Sequence, residues 1–499
     1  MLPLALAAAV GAIPLGGTFV GDDEHAIVAS PIVRGEVSLL DSLRLDFCRR
    51  PMAEGATWRP VMPILWRGLW SIAPNNPFPF RLVSLLLHVG VVGAFMVLLG
   101  AYRGARERWV VLAAASLFAV HGLHSEAVSA IVGHADLLST GLGLWGLIAV
   151  ERGRRGSEIA AVFLLACLVK ESAAVLGFAA MVRMIAAHRG PGLRRAIPLG
   201  VVLVAVVAVQ LFLPRSAETT TWNNALMYDA HGMDRLRLGL YMLGRGLSMV
   251  LVPHTLAPSH GFAAVDFRTE TLVPYAVLGA GLLALGLGVG FWSLRRKRPD
   301  LAVAIMLVYG PAILASGLFV TIMVDLPERL LYAATAGVAY LYAAALWRAT
   351  DRDRLRMLLV VSLGLALALP GLPARAAWRS REELWARAVV VEPKSVRHRF
   401  NHSNTLVERG DYDGALWHRM VAIYLVNGYP DRVDWPRIEQ LERLPPAEAW
   451  RRGPAVLYGG DPCPMVIALL TQMRDIDVTF HDQGFAFFRG VHPQCLGGP

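Results

Sequence analysis

The sequence predicts an α-helical polytopic membrane protein, a bundle of about eleven transmembrane helices with a small soluble C-terminal domain. Three observations predict it. The chain has 499 residues, 55% hydrophobic and 17% charged, with a mean hydropathy of +0.48, a balance outside the range of soluble globular domains. Apolar windows recur along most of its length. The loops between those windows are short and many are basic, the charge pattern of a chain threaded through a bilayer.

The windows fall at 1–20, 81–101, 109–122, 135–150, 158–169, 172–187, 196–213, 272–293, 301–324, 330–348 and 356–373. Several are short for a span of about 20 residues, as expected where a helix ends inside protein rather than lipid. The first window has no basic segment before it and reads as a retained span, not a cleaved leader. A twelfth candidate, 236–253, carries Arg237 and Arg245. Loop charge decides its place. The segments 102–108, 151–156, 188–195, 293–298 and 347–356 are all strongly basic, and all five share the cytoplasmic side only if 236–253 does not cross. It is therefore expected to be an interfacial or re-entrant helix on the outer side.

The formal net charge of +10 comes from those loops and does not signal nucleic acid. Only three of the 48 basic residues are lysine. With the Ala and Gly content, this points to a GC-rich genome and a bacterial-type protein in the inner (plasma) membrane, its C-terminal region in the periplasm. Four cysteines are too few for a disulfide scaffold, although Cys463 and Cys495 can pair in an oxidising compartment. Three regions follow: 1–375 as the membrane domain, 376–430 as a helical segment, and 431–499 as a small soluble tail. In the second, Ser403, Ala415 and Ala422 stand where a tetratricopeptide helix pair needs small residues. In the third, 455–460, 465–473 and 476–482 read as strand, helix and strand, a small α/β unit.

Chemistry concentrates on the outer face. Ionisable groups within apolar spans cost about 2.5–3.5 kcal/mol each at a helix centre and are tolerated where they face a cavity, a partner charge or a substrate. The run HGLHSEAVSAIVGHADLL (121–138) holds His121, His124, Glu126, His134 and Asp136. It lacks the HExxH order and any nearby thiolate, so no metal is expected. It reads either as the wall of a substrate cavity or as a satisfied structural network. Asp22 and Asp23 follow the first span and can supply a general base, or simply cap a solvated helix start. Lys170 and Glu171 can offer positive charge to a phosphate, or pair locally between two short helices. Glu328 and Arg329 precede another span, and an arginine there can hold a phosphate or carboxylate through two parallel hydrogen bonds. Arg59 is a weaker candidate of the same kind. Together these groups suit a glycosyl or acyl transfer cavity using a lipid-phosphate donor, with a base for the acceptor and cations for the leaving phosphate.

The segments FVGDDEHAI, WRPVMPILW, LFAVHGLHSEAVSAIVGHADLLS, LVKESAAVL, RLRLGLYMLGRGLSMVLVPHTLAPSHG and ERLLYAATAG resemble, in this order, the TMTC family. These are transmembrane and tetratricopeptide-repeat O-mannosyltransferases of the GT-C glycosyltransferase superfamily. The resemblance covers about residues 15–427 and is most specific at 117–139. It implies a GT-C-type bundle transferring mannose, with inversion and without metal or cofactor, from a polyprenyl-phosphate sugar to protein Ser or Thr hydroxyls. It also implies that Asp22 or Asp23 acts as base, and that Glu126, Asp136, Lys170, Glu171, Glu328 and Arg329 surround the cavity. Two departures stand out. His134 occupies the place where the family usually has arginine, and His121–Gly122 replaces a His-Pro. The repeat array is cut to about one repeat, which leaves lipid or glycan acceptors open as an alternative. A transporter or non-catalytic scaffold is the competing class, but the internal repeats of spans that a transporter usually carries are not seen.

Overall fold

The computed structural model describes residues 1–40, 58–103, 107–187, 191–212, 231–260, 272–319, 326–428, 433–457, 463–474, 489 and 493–496. A helix occupies each of the eleven apolar windows. In chain order the helices are α1 (Leu2–Gly11), α2 (Val61–Ile72), α3 (Pro77–Arg103), α4 (Arg108–Val120), α5 (His134–Glu151), α6 (Gly156–Val169), α7 (Ala174–Ala187), α8 (Pro191–Phe212), α9 (Gly232–Leu251), α10 (Leu272–Arg295), α11 (Pro299–Ala315), α12 (Tyr332–Ala349) and α13 (Asp353–Ala368). A short helix, α14 (Gly371–Ala377), leads to α15 (Arg381–Val391), α16 (Val396–Glu408), α17 (Tyr412–Gly428), α18 (Trp435–Glu442), α19 (Pro446–Leu457) and α20 (Cys463–Arg474).

The protein is a mostly α-helical polytopic bundle. Among the described residues six helices are long and apolar enough to cross a membrane, or seven if the bent pair Arg108–Val120 and Gly122–Ser129 is one span. That is fewer than the eleven expected from hydropathy. The reason is length: α1, α6, α7 and α11 have 10, 14, 14 and 17 residues, less than the roughly 20 that a hydrocarbon core of about 30 Å requires. α6 stops at the polar segment 170–173, and α4 and α5 flank the run 121–133. Every residue from 121 to 137 is buried, which is the condition under which irregular backbone is tolerated at membrane depth.

The helices divide by what surrounds them. α3, α4, α5 and α12 meet in the main core through Phe95, Phe118, Leu144, Leu147 and Tyr340. By contrast, Val204 on α8, Phe291 on α10 and Val361 on α13 are more than half exposed, apolar side chains turned outward as lipid-facing helices require. α9 packs antiparallel to α10. A Cβ on Gly244 would lie 2.0 Å from the Tyr275 carbonyl oxygen, and one on Gly279 equally close to that of Leu240, so the two glycines let the backbones touch. Gly239 near the start of α9 abuts Leu318, and the Val250 carbonyl at its end bonds His121 Nε2 at 3.0 Å. The C-terminal end of α9 therefore lies beside the 121–134 run. Gly122 rests on the backbone of Gly371, where an added Cβ would come within 2.9 Å. This contact accounts for glycine, not proline, after His121.

The opposite end of the bundle is not chemically plain. Arg103 joins Glu107, Asp300 and Tyr340, and Glu151 joins Tyr102 and Arg183. These pairs tie helix ends together beneath the basic loops.

The C-terminal helices build a second core from Trp417, Met420, Leu425, Ile438, Trp450, Val466 and Leu469. Helices α16 and α17 form a close pair in which Ser403 Oγ donates to the Ala415 carbonyl at 2.9 Å, with Ala415 and Ala422 buried between them. The expected α/β unit is corrected here. Residues 455–457 belong to α19, 465–473 to α20, and no strand occurs among the described residues. The expected strand at 476–482 lies outside them. Cys463 and Cys495 form a disulfide.

Candidate active site

The 121–134 run turns because several buried groups each satisfy part of its backbone. The His121 ring accepts from Leu123 N–H at 3.3 Å, ending α4 and starting a short turn. Arg81 Nη1 donates to the Ser129 carbonyl at 2.9 Å. Asp23, fully buried, accepts from Val20, Ile131 and Val132 N–H at 3.3, 3.3 and 2.9 Å. Burial pushes its carboxyl up to about 6, against the pull of the Val132 amide and Arg81. The two adjacent acids thus part company. Asp23 faces inward and anchors the run, whereas Asp22 faces the site with its side chain 44% exposed.

The histidines of the run are occupied in the core. His134 Nε2 donates to the Phe80 carbonyl at 2.9 Å and its Nδ1 accepts from Trp66 Nε1 at 3.2 Å. His124 Nε2 lies 2.7 Å from Thr335 Oγ1, and its ring packs on Phe118 and Tyr332. Neither ring lines the cavity described below; both nitrogens of His134 are bonded, whereas His124 Nδ1 is buried without a hydrogen-bond partner.

Three ion pairs organise the site. Lys170 Nζ lies 2.5 Å from Asp136 Oδ1, both side chains buried. Arg59 holds Glu171 through two parallel bonds, Nε–Oε2 at 3.1 Å and Nη2–Oε1 at 2.8 Å. The neighbours Lys170 and Glu171 therefore do not pair with each other. The third cation is different. Arg329 is fixed by its backbone, whose N–H donates to Glu126 Oε2 at 3.0 Å. Its guanidinium reaches Asp22 Oδ2 from Nη1 and Nη2 at 3.4 Å, and Glu126 Oε1 from Nε at 3.5 Å. Those contacts are long for charge-assisted bonds, which usually lie at about 2.7–2.9 Å. Burial works to raise the Asp22 carboxyl, but Arg329 and then Arg397, 4.0 Å away on α16, outweigh it and hold Asp22 below the usual carboxylate range.

A small, partly open cavity lies beside these pairs. Asp136, Ser139, Thr140, Ser172 and Arg329 give it a polar side, and Leu176, Pro311, Leu314, Leu330 and Ala333 an apolar one. The chain enters Arg329 through Leu326, buried with φ of 42°, a left-handed backbone that costs a non-glycine residue about 1–2 kcal/mol. Strain of that kind persists only where surrounding contacts over-determine it.

Glu328 does not face the cavity. It is 1% exposed and accepts from Ala257 N–H at 2.7 Å, His260 Nε2 at 3.1 Å and Ser125 Oγ at 3.5 Å. His260 continues to Glu392 Oε1 at 2.8 Å, which Arg245 also contacts. Burial and Arg245 act to lower His260, but its bonds to the two glutamates leave it raised. Glu392, despite burial, is held down at about 2 by His260 and Arg245. Hydropathy alone gave no role to Arg245, His260 or Glu392. An arginine within an otherwise apolar helix was the one signal that could have found them.

No family model matches the chain, and no solved structure does. Relatives do. The chain is 34% identical over 168 residues to "Protein O-mannosyl-transferase Tmtc1" of Drosophila melanogaster, covering 32% of this chain and 19% of that protein. It is 26% identical over 476 residues to the human "Protein O-mannosyl-transferase TMTC1", covering 82% and 53%. To "Protein O-mannosyl-transferase F38B6.6" of Caenorhabditis elegans it is 24% identical over 407 residues, covering 79% and 58%. The chain thus spans about half the length of the relatives it matches most extensively. These relatives, with others from mouse, are animal proteins, and this overturns the expectation of a bacterial-type member with a periplasmic site in a bacterial inner membrane. Arginine bias reports the base composition of a genome, which does not specify a compartment. The chain is similar, over four-fifths of its length, to animal O-mannosyltransferases of the TMTC type.

Proposed function

We propose that the chain is a membrane glycosyltransferase that moves mannose from a polyprenyl-phosphate sugar to Ser or Thr hydroxyls of protein, with inversion. The observation that carries this reading is Arg329: a cation anchored through its backbone, loosely held by two carboxylates, at the edge of a cavity that is polar on one side and apolar on the other. An entering phosphate takes Arg329 from Asp22 at little cost, whereas Lys170 and Arg59 are committed to Asp136 and Glu171 at 2.5 and 2.8 Å. The names of the relatives support the sugar and the acceptor class.

The residues then act in order. Arg329 grips the donor phosphate, and Leu176, Pro311 and Leu314 receive the first isoprenoid units. Ser139, Thr140, Ser172 and Asp136 face the sugar hydroxyls. Asp22, relieved of Arg329, becomes more basic and takes the acceptor proton as the acceptor oxygen bonds to the anomeric carbon. The bond from that carbon to the phosphate oxygen breaks through an oxocarbenium-like state, as glycosyl transfers generally do. Polyprenyl phosphate leaves with its charge on Arg329. We further read the shorter apolar helices as completing eleven crossings, with α9 staying at the site end.

The test is transfer by the purified full chain in detergent from polyprenyl-phosphate mannose to Ser/Thr peptides, read by mass spectrometry. Asp22→Asn is expected to abolish transfer and retain donor binding. Transfer to lipid or glycan but not to peptide overturns the acceptor assignment, and absence of donor binding by the wild-type chain overturns the enzyme reading.

A further inference from the structure

We propose that His260 is a positioning residue for Arg329, and that through Glu392 it makes the docked C-terminal helices part of the donor-phosphate site. The inference rests on the glycosyltransferase reading above.

Two adjacent pairs form a closed clasp. Ser125 and Glu126 are neighbours, as are Glu328 and Arg329. Glu126 accepts from the Arg329 backbone N–H at 3.0 Å, and Glu328 accepts from Ser125 Oγ at 3.5 Å. The direction of the Arg329 side chain is therefore set by where Glu328 is held. Glu328 is held from outside the clasp by Ala257 N–H and by His260 Nε2. His260 is fully buried, and its other nitrogen lies 2.8 Å from Glu392 Oε1 at the end of α15. Arg245 and His398 complete the charged surroundings, Arg245 on the same Glu392 oxygen and His398 Nε2 3.3 Å from Ser259 Oγ.

Nε2 of His260 points at Glu328, and Nδ1 faces both Glu392 Oε1 and Arg245 Nη2, the latter 3.1 Å away, so the ring bridges two acids from different parts of the chain. Glutamine at this position is neutral and has one amide group to offer. The bridge thus has a chemistry that few side chains reproduce. A second strand of the same connection reaches the partner of Arg329. Arg397, five residues beyond Glu392, lies 4.0 Å from Asp22. The C-terminal helices consequently grip Arg329 and Asp22 from both sides, one through Glu392, His260 and Glu328, the other directly. With the clasp intact the guanidinium is preorganised for phosphate. With it broken, Glu328 loses its charged partner while buried, and Arg329 shifts with it.

The experiment uses the full chain in detergent and polyprenyl-phosphate mannose as the probe. Donor Kd, donor and acceptor KM, kcat and the thermal midpoint are measured for His260→Ala, His260→Gln, Glu392→Gln and Arg329→Ala, and for the double variant His260→Ala with Arg329→Ala. Loss of positioning remote from the chemistry is expected to weaken donor binding by about 10–100-fold, with acceptor KM unchanged. His260→Gln is expected to recover part of that loss, and Glu392→Gln to reproduce it in smaller measure. Because His260 acts through Arg329, the double variant should bind donor no more weakly than Arg329→Ala alone. Should His260→Ala fail to fold, Glu392→Gln, which preserves shape, carries the test. Unchanged donor Kd in folded His260→Ala or Glu392→Gln, or losses that multiply in the double variant, overturns the proposal. If wild type binds donor and Arg329→Ala alone weakens it, only this inference fails. If wild type binds no donor, the glycosyltransferase reading fails with it.

Discussion

Replacing Arg329 separates ligand recognition from folding more cleanly than any other change at the site. Its backbone N–H, not its side chain, makes the 3.0 Å bond that fixes the start of α12 against Glu126, and that bond survives any substitution except proline. The guanidinium contacts at 3.4 and 3.5 Å contribute little to the fold. Truncation leaves Glu126 buried with one fewer partner, at a cost of about 1–3 kcal/mol. Donor binding is affected differently. Two parallel charge-assisted bonds to a phosphate contribute about 1.5–3 kcal/mol each. Arg329→Lys keeps the charge and one bond, so donor Kd should rise by about 10–100-fold. Arg329→Ala loses both bonds, and donor Kd should rise by 100-fold or more, about 3 kcal/mol at the least. Charge developing on the leaving phosphate also goes uncompensated, lowering kcat by about 10²–10³. Donor binding to detergent-solubilised protein, measured beside its thermal midpoint, checks both parts. A well-folded Arg329→Ala protein with wild-type donor affinity refutes the reasoning and removes Arg329 from the site.

Four further outcomes are expected. Single cysteines at the exposed positions His231 and Thr255, on either side of α9, should label from the same face of the membrane, and labelling from opposite faces contradicts the placement of α9. Arg397→Ala removes one of the two cations that hold Asp22 down, so Asp22 should titrate higher and the acid limb of the kcat/KM profile should move to higher pH. Asp23 rises from its ordinary 3.8 to about 6 in the fold, so its stabilisation is complete below about pH 3.8 and declines by about 3 kcal/mol as pH rises through 6. Asp23→Asn cannot titrate, and the stability of wild type relative to it should fall between pH 4 and 7 in thermal unfolding. Lys170→Met leaves Asp136 buried and unpaired, with an expected loss of about 3–5 kcal/mol that Asp136→Leu in the same chain should largely restore.

The fold was legible wherever the solvent dictated the residues. Lipid-facing helices must be apolar along their length, and the runs at α3, α8, α10 and α13 could be read directly. Length was less legible. Hydropathy carries the window that begins at 301 on to 324, but backbone hydrogen bonding ends α11 at Ala315, whereas α6 ends at Val169 where its window does. The strand expected at 455–460 failed for a local reason. Val456 and Leu457 are the apolar side of α19, packed on the second core, and tertiary packing overrides a β-prone composition of that length.

At the site, the cost of burying charge made the positions visible but not their partners. Asp22, Glu126, Asp136, Lys170, Arg59 and Arg329 were each conspicuous in an apolar chain, and the fold gathers all six. Their pairing depends on contacts between residues as far apart as Arg59 and Glu171, 112 positions, which no local spacing encodes. Proximity in sequence even misled: Lys170 and Glu171 suggest a pair, yet consecutive residues at the turn between α6 and α7 project toward different helices. Asp22 and Asp23 divide for the same reason. Backbone geometry at the end of the first loop aims one carboxylate at three amides and leaves the other to meet Arg329. A sequence shows two interchangeable acids, and only the amides of Val20, Ile131 and Val132 distinguish the anchor from the acid that meets Arg329. His134 follows the same logic in reverse. In a membrane sequence it stands out as a functional group, but an indole N–H and a carbonyl oxygen already satisfy its two nitrogens. Nothing on that ring is left to offer a substrate, and the wall of the cavity falls instead to Asp136.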